Sequence, residues 1–155
     1  MMYKKFMGFT AGAFDLLHPG HVYLINECRK QCDYLIIGLH INPNTDRALK
    51  NKPIQSSYER YMQLSALRSV DKIIPYDTED DLYNLLATQN IDMRFLGSDY
   101  VDRDFTGKDL CDQLNIKVLY IPRLHKYSST ELRQRMNLYV NKYSSTELRQ
   151  RMITS

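Results

Sequence analysis

Apolar residues along this chain follow two alternating rhythms. Short runs rich in β-branched and aromatic residues occupy 5–10, 33–40, 72–75, 93–96 and 117–121, and the stretches between them carry helical spacing. The run 33–40, DYLIIGLH, is almost wholly apolar, which predicts a strand covered on both faces. Helices are predicted over 19–32, where Val22, Ile25, Cys28 and Cys32 share one side, and over 57–69, 79–89 and around 108–114. Strands alternating with helices through short connections predict an α/β class protein with right-handed crossovers.

The expected architecture is a Rossmann-like, doubly wound, five-stranded parallel sheet in a single domain, followed by a short helical C-terminal extension. Sheets of this kind bind ligands at the carboxyl ends of their strands, where the strand order reverses. The loops to inspect are therefore 11–18, 41–56, 97–104 and 122–128.

Composition narrows the partners. The 155 residues are 43% hydrophobic and 25% charged, ordinary for a globular chain with a core of its own. With 21 Lys and Arg against 18 Asp and Glu, the net charge of +3 is too small for a nucleic-acid or membrane surface. It suits a small anionic ligand if the basic side chains converge. No run of about 18 apolar residues is present, and the N-terminal MMYKKFMGFT has no signal-peptide anatomy. Cys28, Cys32 and Cys111 lack metal-ligand spacing and read as buried thiols. The expected location is the cytoplasm.

The first strand-to-helix turn, TAGAFDLLHPGH, holds the densest chemistry. Pro19 suits the first turn of a helix, and His18 and His21 lie three residues apart at its N-terminus. Free N–H groups and the positive dipole end favour phosphate there, and two imidazoles add donors for charge that develops during a reaction. His40 and His125, by contrast, read as surface or satisfied core residues. Asp15 is open to two roles, metal binding or backbone organisation.

His18-Pro19-Gly20-His21, preceded by Gly12-Ala13-Phe14-Asp15, resembles the HxGH signature of the cytidylyltransferase-like nucleotidyltransferases. The resemblance extends to about Met136, and three further segments carry it. The loop 41–56 has Lys50 and Lys52, with Arg60 on the next helix; Gly97-Ser98-Asp99-Tyr100 is similar to the family's Gly-x-Asp-aromatic turn; and Arg123 with Ser128-Ser129-Thr130 resembles the RTxGxSTT signature. The chain departs from the pattern at Ala13, where a Thr or Ser is common, and at Leu124 and Lys126, which replace Thr and Gly.

The resemblance implies an enzyme that transfers a nucleotidyl group from a nucleoside triphosphate to a phosphorylated small alcohol and releases pyrophosphate. CTP and glycerol 3-phosphate are the expected pair. The alternatives are an adenylyltransferase acting on a sugar phosphate or other phosphorylated acceptor and a non-catalytic nucleotide-binding module. It further implies that His18, His21 and Arg123 are catalytic and that Ala13, Phe14, Asp99, Arg123, Ser128, Ser129 and Thr130 hold the nucleotide. Lys50, Lys52 and Arg60 are expected on the acceptor and phosphates, Mg²⁺ is expected with the triphosphate, and the metal's protein ligands are unassigned. A homodimer is expected, with no nucleic acid or membrane partner.

One feature lies outside this scheme. KYSSTELRQRM occurs at 126–136 and again, unchanged, at 142–152. The spacing is too short for a solenoid unit, and nothing upstream shares it. Arg123 and the strand IKVLYIP precede the first copy, whereas MNLYVNK precedes the second. The first copy is therefore read as the phosphate-binding helix start. The second is read as a duplicate within an extension at 137–155, left by a recent DNA duplication or a cloning artefact, whose capping box at Ser144 and Glu147 would start a short helix. Ending the chain after Val140 is expected to preserve turnover, while Ser128→Ala with Ser129→Ala is expected to reduce it. Steady-state assays of the two variants would reverse the assignment if only the truncation abolished activity.

Overall fold

A computed structural model describes residues 3–143 of the chain. Five strands, β1 (Met7–Gly12), β2 (Tyr34–His40), β3 (Lys72–Tyr76), β4 (Met93–Gly97) and β5 (Lys117–Ile121), form one sheet in the order β3-β2-β1-β4-β5. Every pairing is parallel. The chain winds outward from β1 through β2 to β3, then crosses to β4 on the other side of β1. Strand order therefore reverses between β1 and β4, and their connecting loops part there to leave a crevice.

Helices cover both faces. α1 (Pro19–Arg29) and α2 (Ser57–Ser65) pack Ile25, Cys28 and Leu64 against Leu35, Ile37, Leu39 and Phe95. α3 (Glu79–Thr88) and α4 (Lys108–Gln113) pack Leu82, Leu85, Leu86, Leu110 and Cys111 against Phe9 and Ile36. Alternation along β2 sends Leu35, Ile37 and Leu39 to one layer and Ile36 to the other, which explains the all-apolar sequence of that strand. A Cβ on Gly38 would come within 2.8 Å of the Phe9 ring, so a larger residue would push that ring out of the α3 layer.

Element boundaries moved for local reasons. The first strand begins at Met7 and runs through Ala11 and Gly12, because Gly38 and Leu39 of β2 pair with those two small residues. The helices expected over 19–32 and 57–69 end earlier, at Arg29 and Ser65. Beyond those ends the backbone tightens into three-residue turns, Gln31 N to Cys28 O and Leu67 N to Leu64 O. Capping boxes, Ser56 with Glu59 and Thr78 with Asp81, set the starts of α2 and α3.

The last helix, α5 (Ser129–Tyr143), continues from the first copy through MNLYVNK. The segment MNLYVNK contains no Gly or Pro to stop it, so the first copy's helix continues into the start of the second copy. The capping box at Ser144 and Glu147 lies outside the described residues. Among the described residues no helix is long and apolar enough to cross a membrane. All three cysteines are buried and unpaired, and burial pushes their thiols up.

Arg60 departs from its expected role. Its side chain is 2% exposed, and its N–H groups donate to four carbonyls: Nε to Gln55, Nη1 to Ala13 and His40, and Nη2 to Ile41. The guanidinium ties the ends of β1 and β2 to α2 rather than facing a phosphate. Arg60→Met leaves these carbonyls without a donor, so urea unfolding is expected to show a loss of about 2–4 kcal/mol. A change below about 0.5 kcal/mol would mean that water or neighbouring groups replace the clamp.

Candidate active site

The crevice at the β1/β4 reversal is a cavity of about 470 Å³, lined from all four loops flagged in the sequence. The β1 loop delivers the histidines. His18 is the N-cap of α1, and its Nδ1 accepts the Gly20 N–H at 3.1 Å. In the neutral ring that bond leaves the proton on Nε2, as a donor. His21 stacks on His18 with centroids 3.8 Å apart and meets the Phe14 ring edge-on at 5.4 Å. A Cβ on Gly20 would lie 2.6 Å from His125 and 2.9 Å from His18, so the glycine of the motif lets the imidazoles close in.

Burial sets the charge state of the pair. His21 is pushed down to about 3, first by burial and then by the adjacent His18. Burial also lowers His18, reinforced by His125 and Arg123. Both rings are therefore neutral near pH 7. Nδ1 of His21 is buried with no hydrogen-bond partner, so Nε2 is the nitrogen left for a ligand.

Asp15 organises the site. Its Oδ1 accepts the Gln55 N–H at 2.9 Å, while Oδ2 accepts Ile54 N–H at 2.9 Å and pairs with Arg133 of α5 at 2.6 Å. Its carbonyl accepts the Ser129 hydroxyl at 2.9 Å, and Leu16 N donates to the Gln55 side chain at 2.7 Å. These bonds hold Phe14 and Leu16 in left-handed conformations, φ 49° and 51°, at a cost of about 1–3 kcal/mol each. Of the two roles left open for Asp15, backbone organisation is the one its contacts fill.

Ser128 caps α5, its Oγ accepting the Glu131 N–H at 3.0 Å. Arg123 lies across the opening; its backbone N–H donates to Ser98 Oγ at 3.3 Å, and Nη2 donates to the Tyr127 carbonyl at 3.0 Å. Ala13, Phe14, Lys50, Asp99, Arg123, Ser128 and Ser129 all line the cavity with the histidines. Lys52, Arg60 and Thr130 do not. Lys52 and Thr130 are exposed, because the loop and the helix turn direct them outward.

Sequence reasoning missed three contributors. His125, taken for a surface or core residue, joins His18 and His21 in the cavity wall, packed between Tyr23 and Tyr127 with its Nδ1 buried and unpartnered. Arg133 gives the first copy of KYSSTELRQRM its anchor on Asp15. Arg47 pairs with Glu79 at the far end of the cavity. Only the odd placement of His125 between two signature residues, Arg123 and Ser128, could have marked it in the sequence.

No group of three His, Cys, Asp or Glu among the described residues is set to hold a metal ion. Both oxygens of Asp15 are committed, which leaves the Asp99 carboxylate at the rim. This donor set fits a magnesium ion carried mainly by phosphate and water oxygens, the usual state of that ion with a nucleotide.

Comparison with known proteins agrees with this geometry. Residues 9–151 match the family model described as cytidylyltransferase-like. The bifunctional protein HldE of Hyphomonas neptunium is 35% identical over 131 residues, covering 83% of this chain and 26% of that protein. HldE of Caulobacter vibrioides is 36% identical over 133 residues, covering 84% and 27%. The chain thus spans about a quarter of the length of the curated relatives it matches. Among solved structures, the lipopolysaccharide core biosynthesis protein from Thermoplasma volcanium superposes with a TM-score of 0.61 at 27% identity, covering 81% of this chain and all of that one. The family match takes in the histidine pair, the Gly97 turn and the start of α5, and the chain belongs to the cytidylyltransferase-like nucleotidyltransferase family.

Proposed function

We propose that this chain transfers a nucleotidyl group from CTP or ATP to a phosphorylated sugar and releases pyrophosphate. The observation that carries the reading is the convergence of His18, His21, Arg123 and the capped start of α5 on one cavity at the strand-order reversal. A sugar phosphate is favoured over glycerol 3-phosphate on two grounds. The similar Thermoplasma volcanium protein is named for lipopolysaccharide core biosynthesis, and the core of that polymer is saccharide. The cavity wall also takes in Arg47, Tyr76, Glu79, Phe105 and Thr106, more surface than a three-carbon acceptor would cover.

In this reaction an acceptor phosphate oxygen attacks the α-phosphorus, and the bond to pyrophosphate breaks. The acceptor phosphate is already ionised near neutral pH, so no side chain has to remove a proton. The protein's task is alignment and neutralisation of charge on the equatorial and leaving oxygens. His18 and His21 serve as neutral Nε2–H donors, Arg123 supplies a fixed positive charge at the opening, and the N-terminus of α5 faces the phosphate tail. A magnesium ion arriving with the triphosphate would contribute further neutralisation.

Pyrophosphate release measured with CTP and with ATP, each against sugar 1-phosphates and glycerol 3-phosphate, tests the reaction and identifies base and acceptor together. His21→Ala is expected to lower kcat at least about a hundredfold in the productive pair, as for removal of one oxyanion donor. Release with no pair would favour a nucleotide-binding module, and near-normal turnover of the variant would remove His21 from the chemistry.

The charge state of the histidines predicts a pH response. kcat/KM reports the free enzyme, in which both rings are already neutral at pH 7. It is expected to stay flat between about pH 7 and 9; a tenfold fall per pH unit would show that an imidazolium is the working form. Stability should respond at lower pH. Because the folded-state value of His21 lies below its usual 6.5, the unfolded chain binds the extra proton, and thermal unfolding midpoints are expected to drop as pH falls from 6.5 towards 3.

A further inference from the structure

The cavity wall holds a charge that the proposed reaction does not use. Arg94, on β4, points into the α3/α4 layer and is 4% exposed. Its guanidinium lies over the Phe105 ring, 4.8 Å from the centroid, and Nη1 donates to the Thr106 carbonyl. It also contributes to the cavity wall.

The nearby acidic group is already committed. Glu79 pairs with Arg47 through both oxygens, Nε to Oε1 at 3.0 Å and Nη2 to Oε2 at 3.1 Å, and the Thr106 hydroxyl donates to Oε2 as well. Arg94 makes no salt bridge among the described residues. Its sulfur neighbour Cys111 is pushed up by burial, as is the Tyr76 phenol, so both stay neutral. Glu79 acts on Arg94 only through space, so this buried positive charge has no carboxylate bonded to it.

Arg60 shows how this fold houses a guanidinium that has only a structural role. Four carbonyls surround it, and it stays out of the cavity wall. Arg94 has one carbonyl, the Phe105 ring, the Cys111 thiol and a place in the cavity wall. A buried cation without a counter-charge is unfavourable, and a guanidinium fork matches a carboxylate or phosphate through paired N–H donors.

We propose that Arg94 marks an anion subsite at the acceptor end of the cavity, so that the preferred acceptor carries a carboxylate or a second phosphate on the far side of its skeleton from the attacking phosphate. The assignment of this end to the acceptor rests on the nucleotidyltransferase reading above. The subsite would select by charge: an acceptor with a neutral hydroxyl at that position leaves Arg94 unpaired, and one with an anion there satisfies it.

Calorimetric titration of the full chain with glucose 1-phosphate, glucuronic acid 1-phosphate and glucose 1,6-bisphosphate tests this on one ring skeleton. At least one of the two compounds with a second anionic group is expected to bind about ten- to hundredfold more tightly than glucose 1-phosphate; which one does so separates carboxylate from phosphate. Arg94→Met is expected to erase that preference while leaving glucose 1-phosphate and triphosphate affinities within about twofold, and Arg94→Lys to keep part of it. Equal or undetectable binding of the three by the native chain overturns the subsite, as does an Arg94→Met variant that weakens all three alike. Should that variant fail to fold, the native comparison decides alone. Pyrophosphate release measured in parallel separates the two readings: selective binding without turnover upholds the subsite and removes the transferase assignment, while turnover with equal affinities does the reverse.

Discussion

The candidate site depends on one buried carboxylate. Asp15 accepts two backbone N–H groups from the loop after β2, pairs with Arg133 of α5, and through its own carbonyl holds the Ser129 hydroxyl. Three segments far apart in the chain meet on this single residue. The β1 loop that carries Phe14 and the histidines bends through two left-handed residues, a shape it would not hold alone. Asp15 fixes that shape from both sides and sets the start of α5 opposite the start of α1, so the two helix N-termini face one cavity.

Within that frame the site gathers donors without gathering protons. His18 and His21 stack, with His125 in the same wall, and burial together with mutual repulsion keeps the first two neutral. Neutral rings can stack where two imidazolium ions would repel. Both rings line the cavity, and the fixed charge of Arg123 lies in the same wall. Such an arrangement is organised before any phosphate arrives, which is the condition for electrostatic catalysis.

The two buried arginines show how like residues take different parts. Arg60 and Arg94 are almost equally hidden, yet one is saturated by carbonyls and the other has a single carbonyl and a place in the cavity wall. The family resemblance implied that Arg60 would meet a phosphate, and Arg94 looked like part of a strand. Coordination separates them, and coordination depends on which carbonyls the fold brings near.

Much of the fold was legible before any coordinates. The period of the apolar residues placed all five strands and the helices between them, because strand and helix spacings differ and the layers on each side of the sheet demand them. The HPGH turn and the 123–130 segment marked where the cavity lies, because few other reasons put two histidines at a helix start after a strand. The sequence by itself thus determined the class of fold, the loops that bear the site and the kind of chemistry. Only the tertiary structure decided that Asp15 and Arg133 are the anchor, that His125 lines the cavity and Arg60 does not, and that Arg94 has no salt bridge among the described residues. Those facts rest on contacts between residues up to 118 positions apart, which no local spacing encodes.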